Sequence, residues 1–223
     1  MFNMTLPSMG AFGTNAYLIW DNDKNGVIID APCNAPYIIS EIDSRGIKLQ
    51  KILLTHGHCD HIEAAAELSK HYDIPVYIHK ADYGKLFDSE GNVSAFFGLP
   101  PVPAPDKAMI QTFSDNDTIT CGGLSCTVIH TPGHTSGSVC FFFEDGVSGE
   151  QRLYTGDTLF CGSMGRTDMD DGDEKAMFAS LALLWDKFEN SDPLIFPGHG
   201  ESSTMADERR HNRYFRYAHE SNH

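Results

Sequence analysis

Short apolar runs alternate with polar turn segments along most of the chain. AYLIW (16–20) and GVIID (26–30) flank the turn DNDKNG and predict two strands joined by a tight connection. APYIISEIDSRG (35–46) predicts a helix and KILLT (51–55) a buried strand. In HIEAAAELSKHYD (61–73), Ile62, Ala65, Ala66, Leu68 and Tyr72 fall near helical spacing among good helix formers, so one helix is expected there. IPVYIH, TFSD, TITCGGLSCTVIHT, SVCFFFE and RLYTGD read as strands broken by Gly and Asn/Asp turns. EKAMFASLALLWDKFE (174–189) reads as an amphipathic helix and PLIFPGH (193–199) as a last short strand. Hairpin strands mixed with helices indicate a layered α/β fold.

Residues 84–108 break the pattern, with prolines at 100, 101, 103 and 105 and the pair Phe96 and Phe97. No regular helix runs through them. The segment is either a covering loop or an apolar rim over a pocket. No Gly/Ser linker or repeat divides the chain, so its 223 residues are read as one domain, 1–223. A 41% apolar and 21% charged composition excludes disorder as the main theme. No run of about 18 apolar residues offers a transmembrane helix. The start, MFNMTLPSMGAFGTNAYLIW, lacks the basic end and apolar core of a secretory signal.

The formal charge of −15 repels phosphate backbones, which argues against nucleic acid as a partner, and two bound divalent ions would not reverse it. The six cysteines, at 33, 59, 121, 126, 140 and 161, suit reduced thiols in a cytoplasmic protein, and the spacing of Cys121 and Cys126 makes a poor zinc site.

The chemistry concentrates in LLTHGHCDHIEAA, where His56, His58, Asp60 and His61 form H-x-H-x-D-H between a buried strand and a helix. A tight turn there lets alternate histidines converge on one ion, and imidazole with carboxylate is a usual zinc ligand set. Asp60 as a helix cap would explain the aspartate alone, not three histidines within six residues. VIHTPGHTSG offers His134, LYTGDTLF offers Asp157 and LIFPGHGES offers His199, each after an apolar strand and each preceded by glycine. His56, His58 and His134 make three nitrogens for one metal. Asp60, His61 and His199 serve a second, and Asp157 can bridge both. Two such ions about 3.5–4 Å apart activate a shared water, which as hydroxide attacks a carbonyl. Zinc, iron and manganese all accept this donor set, zinc being the expected pair, and Asp60 and Asp157 are the carboxylates expected to be catalytic.

These residues resemble the metallo-β-lactamase superfamily, and the resemblance runs from about residue 12 to residue 203. It implies a four-layer αββα sandwich and the ligand roles above. TGDTLFCGSMGRTD followed by FPGHGESST is similar to single-domain glyoxalase-II-like hydrolases, which implies cleavage of an acyl thioester such as S-lactoylglutathione, a small-molecule substrate. TGD speaks against typical β-lactamases. The same superfamily supplies the alternatives: a persulfide dioxygenase with one iron on His56, His134 and Asp157, or a lactonase. A non-enzymatic metal-binding protein is disfavoured because every suspected ligand is present.

Full-length glyoxalase II carries a C-terminal helical domain, whereas here 24 residues follow His199. ADERRHNRYFRYAHE (206–220) predicts one helix whose Arg209, Arg210, Arg213 and Arg216 are either a solvated face or a grip on a substrate carboxylate. Arg166, with Phe96 and Phe97, is a candidate substrate contact. Paired with Asp168 it would instead buttress the site loop. Cys59 is expected to point away from the ligands, and His71, His79, His130, His211, His219 and His223 to be structural or exposed.

Overall fold

A computed structural model describes residues 1–222. The first sheet is β1 (Phe2–Met9), β2 (Thr14–Trp20), β3 (Asn25–Ile29), β4 (Lys48–Leu53), β5 (Val76–His79) and β6 (Ile110–Phe113), side by side in that order. β1 to β3 run antiparallel and β3 to β6 parallel. Three helices accompany this sheet: α1 (Ala35–Ser44), α2 (Cys59–Ile62) and α3 (Ala65–Tyr72). The second sheet contains β7 (Thr118–Cys121), β8 (Leu124–His130), β9 (Val139–Glu144) and β10 (Gln151–Gly156). A small hairpin, β11 (Leu159–Phe160) with β12 (Ser163–Met164), and helix α4 (Glu174–Lys187) follow. β13 (Leu194–Pro197) then lies parallel to β10, β14 (Ser203–Thr204) closes the edge, and α5 (Met205–His211) and α6 (Arg213–Asn222) end the chain.

The apolar runs are nearly continuous because the central strands bury both faces. On β2, Leu18 faces Ile38, Ile42 and Leu68 on the helical side, while Tyr17 and Ile19 face the second sheet. On β10, Tyr154 joins the core between the sheets, and Leu153 packs with Met177, Leu181 and Phe215 of the outer helices. Three cores thus separate four layers, helix–sheet–sheet–helix, the expected αββα arrangement. Side chains capture the helix starts: Asn34 accepts from the Tyr37 amide at α1 and Asp173 from that of Ala176 at α4.

Two local expectations are corrected, and one strand is new. The helix expected over 61–73 is two, α2 and α3, because Ala31 invades the ladder: its amide takes the His61 carbonyl, and its carbonyl accepts the Ala64 amide, both at 2.8 Å. The single helix expected over 206–220 is also two, since Asn212 breaks it and its side-chain oxygen caps α6 at the Tyr214 and Phe215 amides. β1 was not foreseen. It is an edge strand whose pairing slips between Leu6 and Met9, where Pro7 has no amide to offer. Residues 84–108 hold no long helix, only 3-10 turns at Tyr83–Phe87 and Lys107–Met109. Among the described residues, no helix is long and apolar enough to cross a membrane.

Candidate active site

The strands deliver their polar residues at one end of the sandwich. His56 follows β4, His134 lies beyond β8, Asp157 comes directly after β10 and His199 after β13. Gly156, at φ 47°, makes the turn into Asp157, and a Cβ there would overlap Thr55. A Cβ on Gly198 would sit 2.2 Å from the Asp157 carboxylate, so only glycine lets β13 come this close.

All seven expected ligands converge. His56, His58 and His134 form one group and Asp60, His61 and His199 another, and Asp157 sits among them. His58 Nδ1 lies 2.9 Å from His134 Nε2, and His56 Nε2 is buried with no partner. In the second group, His61 Nε2, His199 Nε2 and an Asp60 oxygen are 3.4–3.6 Å apart. Asp157 reaches His61 through Oδ1 at 3.4 Å, and His134 and His199 through Oδ2 at 3.4 and 3.3 Å. Ligand atoms about 2.0–2.2 Å from a tetrahedral metal stand about 3.3–3.6 Å from one another. The donor set of both groups fits divalent cations, and the spacing of the second group and of Asp157 fits them as well, while His58 and His134 stand closer together than that range.

Most of the imidazoles are held from behind. His56 Nδ1 meets the Thr55 hydroxyl at 3.1 Å, His134 Nδ1 donates to the Arg166 carbonyl at 2.8 Å and His199 Nδ1 to the Phe12 carbonyl at 3.1 Å. His61 Nδ1 lies 2.8 Å from Asp30, a buried carboxylate that also accepts from the Thr55 amide and hydroxyl. Such partners fix tautomer and ring orientation. Thr14 donates to Asp60 at 2.6 Å.

Before any cation binds, His56 and His58 shift one way and His61 and His199 the other. Burial holds His56 well below the ordinary histidine value and pushes His58 down to about 3, with the neighbouring imidazoles adding to it. At His199, burial is outweighed by hydrogen bonds to Asp157 and Asp60, which raise it to about 10, and His61 is likewise raised by Asp60, Asp30 and Asp157 against its burial. Asp60 falls to about 2 despite burial, chiefly through His61, and Asp157 falls well below the carboxylate range for the same reason.

A cavity of about 170 Å³ opens over this cluster, lined also by Phe12, Val93, Phe97, Arg166 and Met169. Phe97 packs on Phe12 at 4.9 Å between ring centroids, so the proline-rich segment does carry an apolar rim. Phe96 does not line the cavity. It is two-thirds exposed and packs edge-on against Phe97. Arg166 reaches the rim while paired to Asp168 at 2.6 and 2.8 Å. Arg209, Arg210, Arg213 and Arg216 are absent from the cavity lining. Arg209 caps the end of α4 at the Trp185, Phe188 and Ser191 carbonyls, Arg213 lies on Tyr214, and Arg210 and Arg216 pair with Asp207 and Glu220. Cys59 is buried and belongs to none of the ligand groups. Of the remaining histidines, His79 and His130 stack on each other away from the cluster, His71 packs on Tyr72 and His219 on Trp185. His211 ends α5, and His223 lies outside the described residues.

Sequence reasoning missed Asp30, Thr14, Phe12 and Asp82. Asp30 had a usable signal: GVIID ends on an acid directly beyond a buried strand, the layout that singled out Asp157.

The metallo-β-lactamase superfamily model matches residues 9–199. Hydroxyacylglutathione hydrolase GloC of Haemophilus influenzae is 34% identical over 212 residues, covering 94% of this chain and 96% of that protein. The crystal structure of BLEG-1, a B3 metallo-β-lactamase, superposes with a TM-score of 0.85 at 30% identity over 96% of this chain and 99% of that one. TTHA1623 in a di-iron-bound form gives a TM-score of 0.80 at 32% identity over 96% of this chain and all of that one. With the sandwich and its ligand cluster, these matches show that the chain belongs to the metallo-β-lactamase superfamily.

Proposed function

We propose that this chain, acting as one domain over residues 1–223, is a metal-dependent hydrolase of acyl thioesters of the S-lactoylglutathione kind. His56, His58 and His134 hold one divalent cation, Asp60, His61 and His199 hold a second, and Asp157 serves both. When bound, two such ions supply a water acidic enough to attack near neutral pH and polarise the carbonyl under attack. The single observation carrying the two-ion reading is Asp157, whose carboxylate stands within 3.4 Å of His134 of the first group and of His61 and His199 of the second. The 34% identity to a hydroxyacylglutathione hydrolase supports the thioester as substrate.

The chain's own residues orient and enclose. Asp30 and the Arg166 carbonyl keep the His61 and His134 rings aimed, Thr14 holds Asp60, and Phe12, Phe97 and Met169 shield the approaching acyl group from water. Arg166 offers a cation at the rim for a substrate carboxylate. All six cysteines are free thiols, in keeping with the cytoplasm. The pair of zinc ions is the first choice of metal. The di-iron-bound relative keeps iron in view.

The test is metal content and turnover of His199→Ala beside the parent, with S-lactoylglutathione, a β-lactam and a persulfide as substrates. Two ions per parent chain, one in the variant and a collapse of thioester hydrolysis are expected. Full metal content with near-normal activity in His199→Ala, or oxygen consumption with the persulfide on a single iron, overturns the reading.

A further inference from the structure

Asp82 lies just beyond β5, fully buried, at the start of the Tyr83–Phe87 turn. An aspartate at a helix start ordinarily accepts an amide of its own first turn. Here the side chain makes no such bond. Its Oδ2 instead accepts the Gly57 amide at 2.8 Å and the Thr135 hydroxyl at 2.8 Å. Gly57 is the residue between His56 and His58, and Thr135 directly follows His134. One oxygen therefore ties together the two loops that carry the three-histidine group, drawn from opposite sheets. The clamp is tight on every side. A Cβ on Gly57 would meet the Lys85 stem at 2.7 Å, and one on Gly137 would meet Asp82 itself at 2.4 Å. Lys85 is in turn anchored by Asp171 and the Gly91 carbonyl.

We infer that Asp82 is a positioning residue: by holding Gly57 and Thr135 on one carboxylate oxygen, it sets the convergence of His56, His58 and His134 on their cation. This rests on the proposed two-cation reading. A buried carboxylate whose other oxygen has no partner costs folding free energy, and a role in geometry accounts for its being kept.

The experiment is zinc affinity by competition with a chromophoric chelator, in a His199→Ala background where only the three-histidine group still binds. Asp82→Ala is expected to weaken zinc by about ten- to hundredfold, the usual range for losing a partner that orients metal ligands. Asp82→Asn, whose amide oxygen can accept both bonds, should retain most of the affinity. A residue that only stabilised the fold would lower the melting temperature in both without this split. Thr135→Val, which removes one of the two bonds, should weaken zinc in the same direction by less, and it decides the matter if Asp82→Ala does not fold. Unchanged zinc affinity in Asp82→Ala or Thr135→Val, or an Asp82→Asn as weak as Asp82→Ala, overturns the inference alone. A parent chain that binds no zinc, iron or manganese overturns the two-cation reading and this inference with it.

Discussion

The two halves of the ligand cluster are built on different physics. His56, His58 and His134 are buried, backed by a hydroxyl and a peptide carbonyl, and carry no carboxylate of their own. Asp60 and His199 lie nearer solvent, with His199 a quarter exposed, and Asp30 stands behind the buried His61 as a second acid. A cation entering the first group would meet His56 and His58 already neutral, and one entering the second would meet negative charge that favours protonated His61 and His199. On the proposed reading the first group would select by ligand type and geometry, and the second would compensate charge. Asp157, touching both, makes them one site.

Substitutions can separate these roles. Asp157→Asn strikes both halves: it removes charge and one good ligand oxygen, and turnover should fall about a thousandfold, the effect of several kcal/mol of lost charge stabilisation. Metal analysis should find the second cation gone, and a variant with two ions and parental kcat would show the halves to be independent. Asp30→Asn should act chiefly on the charged half, since Asp30 touches His61 directly and reaches His56 only through the Thr55 hydroxyl. Its loss behind His61 should weaken the second cation about ten- to hundredfold, read by stepwise zinc titration, and change the first binding step by much less. Arg166→Ala tests the rim. His134 is held by the Arg166 backbone carbonyl, so truncation spares the ligands, and KM for a carboxylate-bearing thioester should rise about tenfold with kcat nearly unchanged.

Asp21, at the far end of β2, is a control remote from both halves. Hydrogen bonds from the Gly123 amide first, then the Asn25 side chain, hold its carboxyl down to about 2. A lowered folded-state pKa gives stabilisation that is complete above the ordinary carboxylate value and is lost as pH falls through the folded one. Asp21→Asn should therefore melt about 2 °C below the parent at pH 7. That gap should close between about pH 4 and pH 2, and metal content at pH 7 should match the parent's.

The candidate ligands were legible in the sequence because Asp157 and His199 come at the ends of apolar strands and the others lie in the short segments just beyond β4 and β8, so chain order brings them to one end of the sandwich. The strands were legible because double-sided burial writes them as continuous apolar runs. The supports were not. Asp30 meets His61 from 31 residues away, Thr14 meets Asp60 from 46, and Asp82 meets Gly57 and Thr135 from 25 and 53. No local pattern encodes such bonds. The break in the helix after His61 was hidden for the same reason, since its cause is the peptide of Ala31, in the loop that follows β3. Phe96 and Phe97 are adjacent and chemically equal, and only the course of the loop sends one to the rim and the other outward.

Ala31 and Asp30 brace the site from behind. The Ala31 amide and carbonyl hold the turn bearing Asp60 and His61 at two points, and Asp30 holds it at a third, all through protein atoms. The amide protons of Ala31 and Ala64 should then exchange with deuterium at the slow rate of the sheet core in chelator-treated protein, with little further slowing once zinc is restored. A cradle braced by protein atoms in this way should capture and release cations with little ordering of the chain.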